Sequence, residues 1–534
     1  MCDDYTSVKE CFQLVFAYDI IPKMTARRER DTISSSDSLS GQEVLAKKPP
    51  VRILAIGSGA LQRALIHPFI EALNAQGNYN GSIFIGQPRG SKTADAINHL
   101  TDGFSVVSFL SEGVASIQQV KSVVGAESLS IPIGRQRFIA RTEQDLDLIL
   151  VGVTEKGVSY GEPGMEVLFD TLRSYFTHHG QESTIAVLDT DNIQGNGDTI
   201  KEIILRYAKE AEVDPQEVSW LSNNVAFINS MVDRIVPQAA SVPEPIRQAA
   251  RNTLGVSKGD PEDTVLTYTE PLPEVWALVI EEDERLRVPF GKLGSPQVVV
   301  TKDIKPYHEW KLRLANALHV PGITTLMSLA FGENALINEA LKNDSVRRHA
   351  EEFAIATAKV VSKDTPIEGM NAEAYALQFL KRVAQLPDGV KRININLSVK
   401  LQQRIADTVL SPDYECLTNR ERNRLAFSAA TVFRFLTPVG GLSEGYNGLD
   451  DQKNLYIFND PKPSIPEALS DIVSEDELTK VMNKILSDPS LWSTGQEERR
   501  LSDNDDFTMR VTNFYSQLTQ GTKVLDILQT IDAS

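Results

Sequence analysis

An α/β domain built on a parallel sheet, followed by a mainly α-helical domain, is the fold class this sequence predicts. Two observations carry that reading. Between residues 51 and 188, short apolar runs alternate with glycine- or asparagine-rich turns and helical patterns. That is the rhythm of a parallel sheet covered on both faces. Beyond about residue 305, apolar residues recur at spacings of three and four almost without interruption, the period of packed helices.

Taken in order, residues 1–48 form an expected poorly ordered extension. Ser34-Ser-Ser-Asp-Ser38, the basic Arg27-Arg28-Glu-Arg30 and Lys47-Lys48-Pro49-Pro50 carry too little apolar surface to pack, and only Cys11 to Ile21 is apolar enough to dock. Val51 to Ile56 then reads as a buried strand, with a helical pattern after it through Leu65, Phe69 and Leu73. Further strands are expected at Ser82 to Gly86, Leu148 to Val153 and Thr184 to Leu188, and two more at Val275 to Ile280 and Gln297 to Thr301. Helices are expected over 323–341, 346–361, 371–385, 394–409 and 421–436. The division is therefore 1–48, a Rossmann-type parallel-sheet domain over 49–302, and a helical domain over 303–534.

Composition narrows the class. A chain of 534 residues is too long for one core. A formal charge of −18 argues against nucleic acid or an anionic membrane surface as partner. No uninterrupted apolar stretch reaches the roughly 18 to 20 residues of a membrane span. Three cysteines (Cys2, Cys11, Cys416) supply neither a disulfide framework nor a CxxC pair, which fits a reducing cytoplasmic location. The seven histidines never adopt a metal-ligand spacing, so no metal is expected. The expected partner is a small molecule, for a chain that acts as a monomer or small homo-oligomer; composition does not fix either.

Gly57-Ser-Gly59 follows a strand and opens a helix, where the first glycine permits a tight turn and the second lets backbone amides approach a pyrophosphate. Gln62 stands where the generic fingerprint has its third glycine. Arg63, in the first turn of the helix, is placed to reach a phosphate or the substrate. The end of the second strand reads Gly86-Gln87-Pro88-Arg89-Gly90-Ser91-Lys92, with no acid for the adenosine ribose. Arg89 and Lys92 suit a 2′-phosphate equally well as solvent, so NAD or NADP stays open.

Pro306 to His319 supplies candidate chemistry. On a helix at about 100° per residue, His319 lies about 80° from Lys311 and Asn316 about 60° further on. A bend or break would tighten this convergence. An amine, an amide and an imidazole aimed at one spot suit proton exchange with a hydroxyl. The competing reading is a partly solvated helix face.

In order along the chain, several segments resemble the long-chain polyol dehydrogenase family, which includes mannitol dehydrogenases and the hexuronate reductases. They are Gly57-x-Gly59-x-x-x-Arg63, Val153-Thr-Glu-Lys-Gly157, Asp191-Asn-Ile-Gln-Gly-Asn-Gly197, Phe227 to Pro237 with its Val-Asp-Arg-Ile core, Lys311-x4-Asn316-x2-His319, and Arg392 with Ser398-Val-Lys400. The resemblance spans roughly residues 51–440. It implies a metal-independent hydride exchange between NAD(P) and a polyol/ketose pair, mannitol with fructose or mannitol 1-phosphate with fructose 6-phosphate. A hexuronate reductase is the alternative, and a non-catalytic nucleotide sensor on the same fold is the alternative from another class. Lys311 is then the general base, Asn229 and Asn316 the oxyanion donors, and His319 a substrate-orienting group. Arg392 and Lys400 bind the distal substrate, while Gly57, Gly59, Arg63, Gln87, Arg89, Thr154 and Asn192 hold the cofactor. His308 departs from the glutamate of several mannitol dehydrogenases.

To act near neutrality, Lys311 must lose pKa from about 10.4 to about 7 to 8, through burial or a nearby cation. Asp233 and Arg234 are expected to form a buried structural pair that fixes the loop carrying Asn229.

Overall fold

Val51–Ile56 is apolar at every second position or better and forms β1. It is followed by β2 (Ser82–Gln87), β3 (Phe104–Leu110), β4 (Gly113–Val120), β5 (Val123–Ser128), β6 (Leu148–Val151), β7 (Ile185–Asp189) and β8 (Val225–Ile228). The structure, a computed structural model, describes residues 49–533 apart from 192, 443–444, 471, 473 and 494–497. The extension expected over 1–48 lies outside the described residues.

Six strands pair side by side in the order β5-β2-β1-β6-β7-β8, all parallel. Their side chains alternate strictly. Ile53, Ala55, Ile83, Ile85, Leu148, Leu150, Ala186 and Leu188 pack on one face, and Leu54, Ile56, Phe84, Ile149, Val151, Ile185 and Val187 on the other. Both faces are buried, which explains the uninterrupted apolar runs in the sequence. The order reverses between β1 and β6, and the carboxyl ends of the strands at such a switch point are where ligands bind open α/β sheets.

Two smaller sheets flank this one. β3 and β4 form an antiparallel hairpin joined by β10 (Thr267–Thr269). β9 (Ser230–Val232), β11 (Leu278–Glu281) and β12 (Val298–Thr301) form the other.

The helical part has its own core, which also takes in Met231, Trp276 and Val279 from the strand region. Its central element runs from Lys305 to Phe331. By length and composition this stretch is apolar enough to cross a membrane, but 83% of the qualifying window is buried inside the protein. It is not one regular helix. Lys311–Asn316 and Leu318–Ile323 are π-helical turns, and Val320 leaves helical geometry altogether (φ −134°, ψ 119°).

Two expectations need correction. The helix expected over 323–341 stops at Phe331, because Gly332 adopts φ +93°, and resumes only at Ile337–Ala340. The region after 305 is not wholly helical: β13 (Gly440–Leu442), β14 (Gly445–Leu449) and β15 (Leu455–Phe458) form an antiparallel sheet. Four glycines between 440 and 448 disfavour helix there. In β15 Tyr456 and Phe458 are buried while Leu455 and Ile457 face outward, a strand's period of two.

Candidate active site

The turn after β1 is built from backbone. Gly57 sits at φ +118°, and a Cβ on it would lie 2.3 Å from the Gly152 carbonyl oxygen, so only glycine fits. Gly59 caps the short helix Ala60–Ala64. The missing third glycine has a structural answer. With its amide nitrogen toward the Gly57 carbonyl and its oxygen toward the Gly152 amide, each at 3.1 Å, Gln62 cross-links the turns after β1 and β6.

Around this turn lies a cleft of about 200 Å³, lined by Gly57, Ser58, Gln87, Arg89, Gly152, Thr154 and Glu162 among others. It opens at the carboxyl ends of β1, β2 and β6. The structure thus brings Gly57, Gln87, Arg89 and Thr154 together. Gln87 accepts from the Ala94 amide at 2.8 Å and donates to the Arg89 carbonyl at 2.7 Å, which shapes the loop. Arg89 is paired with Glu162, a carboxylate that the sequence reading did not single out. Asn192 lies outside the described residues.

Arg63 is not where it was expected. Its Nε donates to Thr267 Oγ1 at 2.9 Å and its Nη1 to the Ser58 carbonyl, so it braces the turn from beneath instead of entering the cleft. Burial lowers its pKa to about 10.

Lys311 is buried, and its Nζ donates to the carbonyl of Val232, the last residue of β9. Burial lowers its pKa to about 8. Asp233 and Asp191 pull upward, while Arg382 and Arg404 add to the fall. Asp191 stands two residues beyond the end of β7, and its pull on Lys311 sets the amine near the carboxyl end of the sheet. One turn earlier on the helix, His308 is also buried, with Nε2 lacking a partner among the described residues. Burial, then the Lys311 charge, push its pKa down to about 4, so it is neutral.

The π turn alters the geometry of the helix face. With i→i+5 bonding each turn takes more residues than in an α-helix, so Asn316 lies closer to the Lys311 side of the helix than an ideal α-helix would put it. Asn316 is half-buried, and its side-chain amide has no hydrogen-bond partner among the described residues. His319 packs edge-on against Phe379, with ring centroids 5.0 Å apart, and its Nε2 is shut off from solvent without a partner among the described residues. Burial, then Arg404, Arg392, Lys400 and Arg382, depress its pKa to about 3. It is a neutral ring.

Asn229 differs. Its Oδ1 accepts from the Gly197 amide at 2.9 Å, and its Nδ2 donates to Asp198 at 3.1 Å and Glu281 at 2.8 Å. Its amide group is therefore engaged on both sides, at Asp198 in the start of helix Asn196–Glu210 and at Glu281 at the end of β11. Nearby, Asn196 accepts from the Ser230 amide at 2.9 Å.

The expected Asp233–Arg234 pair does not form. Asp233 accepts from Arg382 Nη1 at 2.9 Å and from the Tyr375 hydroxyl at 3.0 Å, while Arg234 turns to the Ala64 and Glu270 carbonyls. A helix far along the chain outcompetes the neighbour because Arg382 also reaches Glu270, satisfying two buried carboxylates at once.

Arg392 pairs with Asp388 at 2.6 Å. Lys400 donates to the Ile393 carbonyl at 2.6 Å, and burial with Arg404 and Arg392 lowers its pKa to about 7. Arg404, unmarked by the sequence reading, donates to the carbonyl of Asn316 at 2.9 Å. Its position four after Lys400 on one helix was the available signal. A wider groove of about 860 Å³, edged by Asp364, Asp407, Glu415 and Asp506, offers none of these groups.

A buried amine of lowered pKa, an amide with free donors and a neutral imidazole can take a proton from a hydroxyl and hold the oxygen left behind. Comparison with known proteins agrees in kind. A family model described as the mannitol dehydrogenase Rossmann domain matches residues 51–277, and one described as the mannitol dehydrogenase C-terminal domain matches residues 303–519. A mannitol 2-dehydrogenase of Aspergillus terreus is 26% identical, with 77% of this chain and 81% of that protein covered. An altronate oxidoreductase of Enterobacter sp. is 25% identical over 76% of this chain and 83% of its own. Among solved structures, a substrate-free D-sorbitol dehydrogenase superposes with TM-score 0.69 at 18% identity, covering 89% of this chain and 95% of its own. A Pseudomonas fluorescens mannitol 2-dehydrogenase complexed with NAD and D-mannitol does so with TM-score 0.65 at 18% identity, over 91% and 95%.

Proposed function

Because the chain belongs to the mannitol dehydrogenase family, we propose that it interconverts a polyol and its ketose by hydride transfer to or from NAD(P), with Lys311 as the proton-transferring group. The substrate pair proposed is mannitol with fructose or mannitol 1-phosphate with fructose 6-phosphate; the altronate oxidoreductase relative favours an acidic sugar as the second reading. The single observation that carries the proposal is the buried Lys311 amine, its pKa brought down to about 8, on the π turn it shares with Asn316.

The cleft fits a dinucleotide. Only glycine fits at the tight turn of Gly57, and Ser58, Gln87, Arg89, Gly152 and Thr154 line the opening beside it. Gly57, Gly59, Gln87, Arg89 and Thr154 would hold the cofactor there, with Asn192 a further proposed contact. When bound, NAD(P) supplies the hydride acceptor or donor.

The chain's own residues do the rest. Lys311, uncharged, takes the hydroxyl proton as an alcohol is oxidised, and as ammonium returns it on reduction. Asn316 donates to the oxygen as negative charge grows on it. His319, kept neutral, orients an adjacent hydroxyl. Arg392 and Lys400 hold the far end of the substrate. Asn229 serves this arrangement by fixing the start of helix Asn196–Glu210 beside the β8–β9 junction. A cytoplasmic location belongs to the same proposal and is supported by the sparse cysteines.

The test is the change in nicotinamide absorbance with mannitol, fructose, fructose 6-phosphate, fructuronate and tagaturonate, using each cofactor in turn. Turnover of one pair supports the reading. Cofactor binding without turnover of any member favours a nucleotide sensor.

A further inference from the structure

One carboxylate and one cation meet across the cleft after β1. Of the described residues that line it, Glu162 is the only acid and Arg89 the only cation, and the two are paired. Glu162 precedes helix Pro163–His179, at the position from which a side-chain oxygen can accept the first free amides of a helix, yet its carboxylate makes no such bond. It reaches instead to a residue 73 positions back in the chain. The loop that carries Arg89 is fixed from its other side. Gln87 holds it through the Ala94 amide and the Arg89 carbonyl, and Ser128 Oγ donates to the Gly90 carbonyl at 2.7 Å.

This pairing bears on which dinucleotide the cleft admits. In sheets of this kind a carboxylate near the end of the second strand holds the adenosine ribose hydroxyls, whereas a nearby arginine accommodates a 2′-phosphate. Gln87 stands at the strand end, and its amide is spent on the loop. A partly exposed ion pair adds little to stability, so what Glu162 changes is the electrostatics of the opening. A 2′-phosphate would have to draw Arg89 away from Glu162 and then lie beside an uncovered carboxylate, like charge against like. Lys92, the other basic residue of this loop, is exposed and does not line the cleft. A free 2′-hydroxyl meets no such penalty, and a carboxylate is an acceptor for it.

Resting on the dinucleotide site of the dehydrogenase reading above, we infer that Glu162 sets the choice of cofactor, and that its hold on Arg89 selects NAD over NADP. The acid that the second strand lacks is supplied from the start of the helix after β6. Arg89, neutralised in this way, is part of the wall of the cleft and not a receptor for a 2′-phosphate.

The test is fluorescence titration of NADH and NADPH binding to the wild-type chain, to Glu162→Gln and to the double variant Glu162→Gln/Arg89→Gln, with melting temperatures beside them. Wild type should bind NADH about tenfold or more tightly than NADPH. Glu162→Gln frees Arg89, and the ratio of the two affinities should move toward NADPH by about 10- to 100-fold, mainly through tighter NADPH binding. Removing Arg89 as well should undo most of that gain, which separates release of the guanidinium from a general loosening of the loop. NADPH bound as tightly as NADH by the wild type overturns the inference, whatever the variants do. So does an unchanged ratio in Glu162→Gln, or a gain that survives the loss of Arg89. Binding of both nucleotides without preference defeats the role of Glu162 alone; binding of neither defeats the dehydrogenase reading with it.

Discussion

Arg382 donates to Asp233 Oδ2 at 2.9 Å, tying the residue after β9 to helix Ala372–Ala384. The residue before it, Val232, offers the carbonyl that receives Lys311, so this ion pair fixes the acceptor that orients the amine. Burial alone would raise the Asp233 carboxyl; the Arg382 charge and hydrogen bond, with Lys311 and Tyr375, hold it below its ordinary value. Removal by Asp233→Ala strands part of the Arg382 charge and should destabilise the fold by about 3 to 5 kcal/mol in a denaturant titration. In the unaltered protein this contribution is present above the ordinary carboxylate range and is lost as pH falls through the lowered pKa.

In the proposed mechanism Lys311 sets the pH dependence of turnover. Its pKa of about 8 means that the base is mostly protonated at neutrality. Oxidative kcat/KM should climb about tenfold per pH unit below that value and level off above it, while reduction falls on the alkaline side. Initial rates in both directions between pH 6 and about 10 check the sign. An oxidation rate flat across that range removes the amine as titrating group.

Gly57→Ala should fail locally. The added methyl would meet the Gly152 oxygen at 2.3 Å in a backbone conformation, φ +118°, that alanine avoids. A loss of about 1 to 3 kcal/mol in stability is expected, with weaker NAD(P) binding by fluorescence titration. Gly59→Ala meets that oxygen only at ordinary contact distance, 3.4 Å, and should be milder in stability.

Asn316 and Asn229 should separate. Asn316→Ala removes a donor whose amide is otherwise free and should cost about 3 to 4 kcal/mol of barrier, read in kcat, with little change in melting temperature. Asn229→Ala removes bonds to Gly197, Asp198 and Glu281 and should lower the melting temperature as well. Equal thermal effects in both variants would contradict the distinction.

Much of the sheet was legible because its strands are buried on both faces and bounded by glycine turns, as at Val51–Ile56 and Ile185–Asp189. The β3–β4 hairpin was not, since β4 is mostly half-exposed, with Val120 alone of its residues buried, and shows no buried run. The spacing of Lys311, Asn316 and His319 marked a candidate site, but an ideal helix spreads them; the π turn, a backbone choice that spacing does not encode, brings Asn316 nearer the Lys311 side. Arg63 was misplaced because its acceptor, Thr267, is 204 residues away. The Asp233 partner was missed for the same reason, Arg382 being 149 residues on. Long-range partners leave no local signal.

The most direct measurement is turnover of Lys311→Ala with the best polyol of the panel, beside its NAD(P) affinity by fluorescence titration. With cofactor affinity near that of the wild type, kcat/KM should drop by about 100- to 10,000-fold. Turnover within a few-fold of the wild type would take the proton-transfer role away from Lys311.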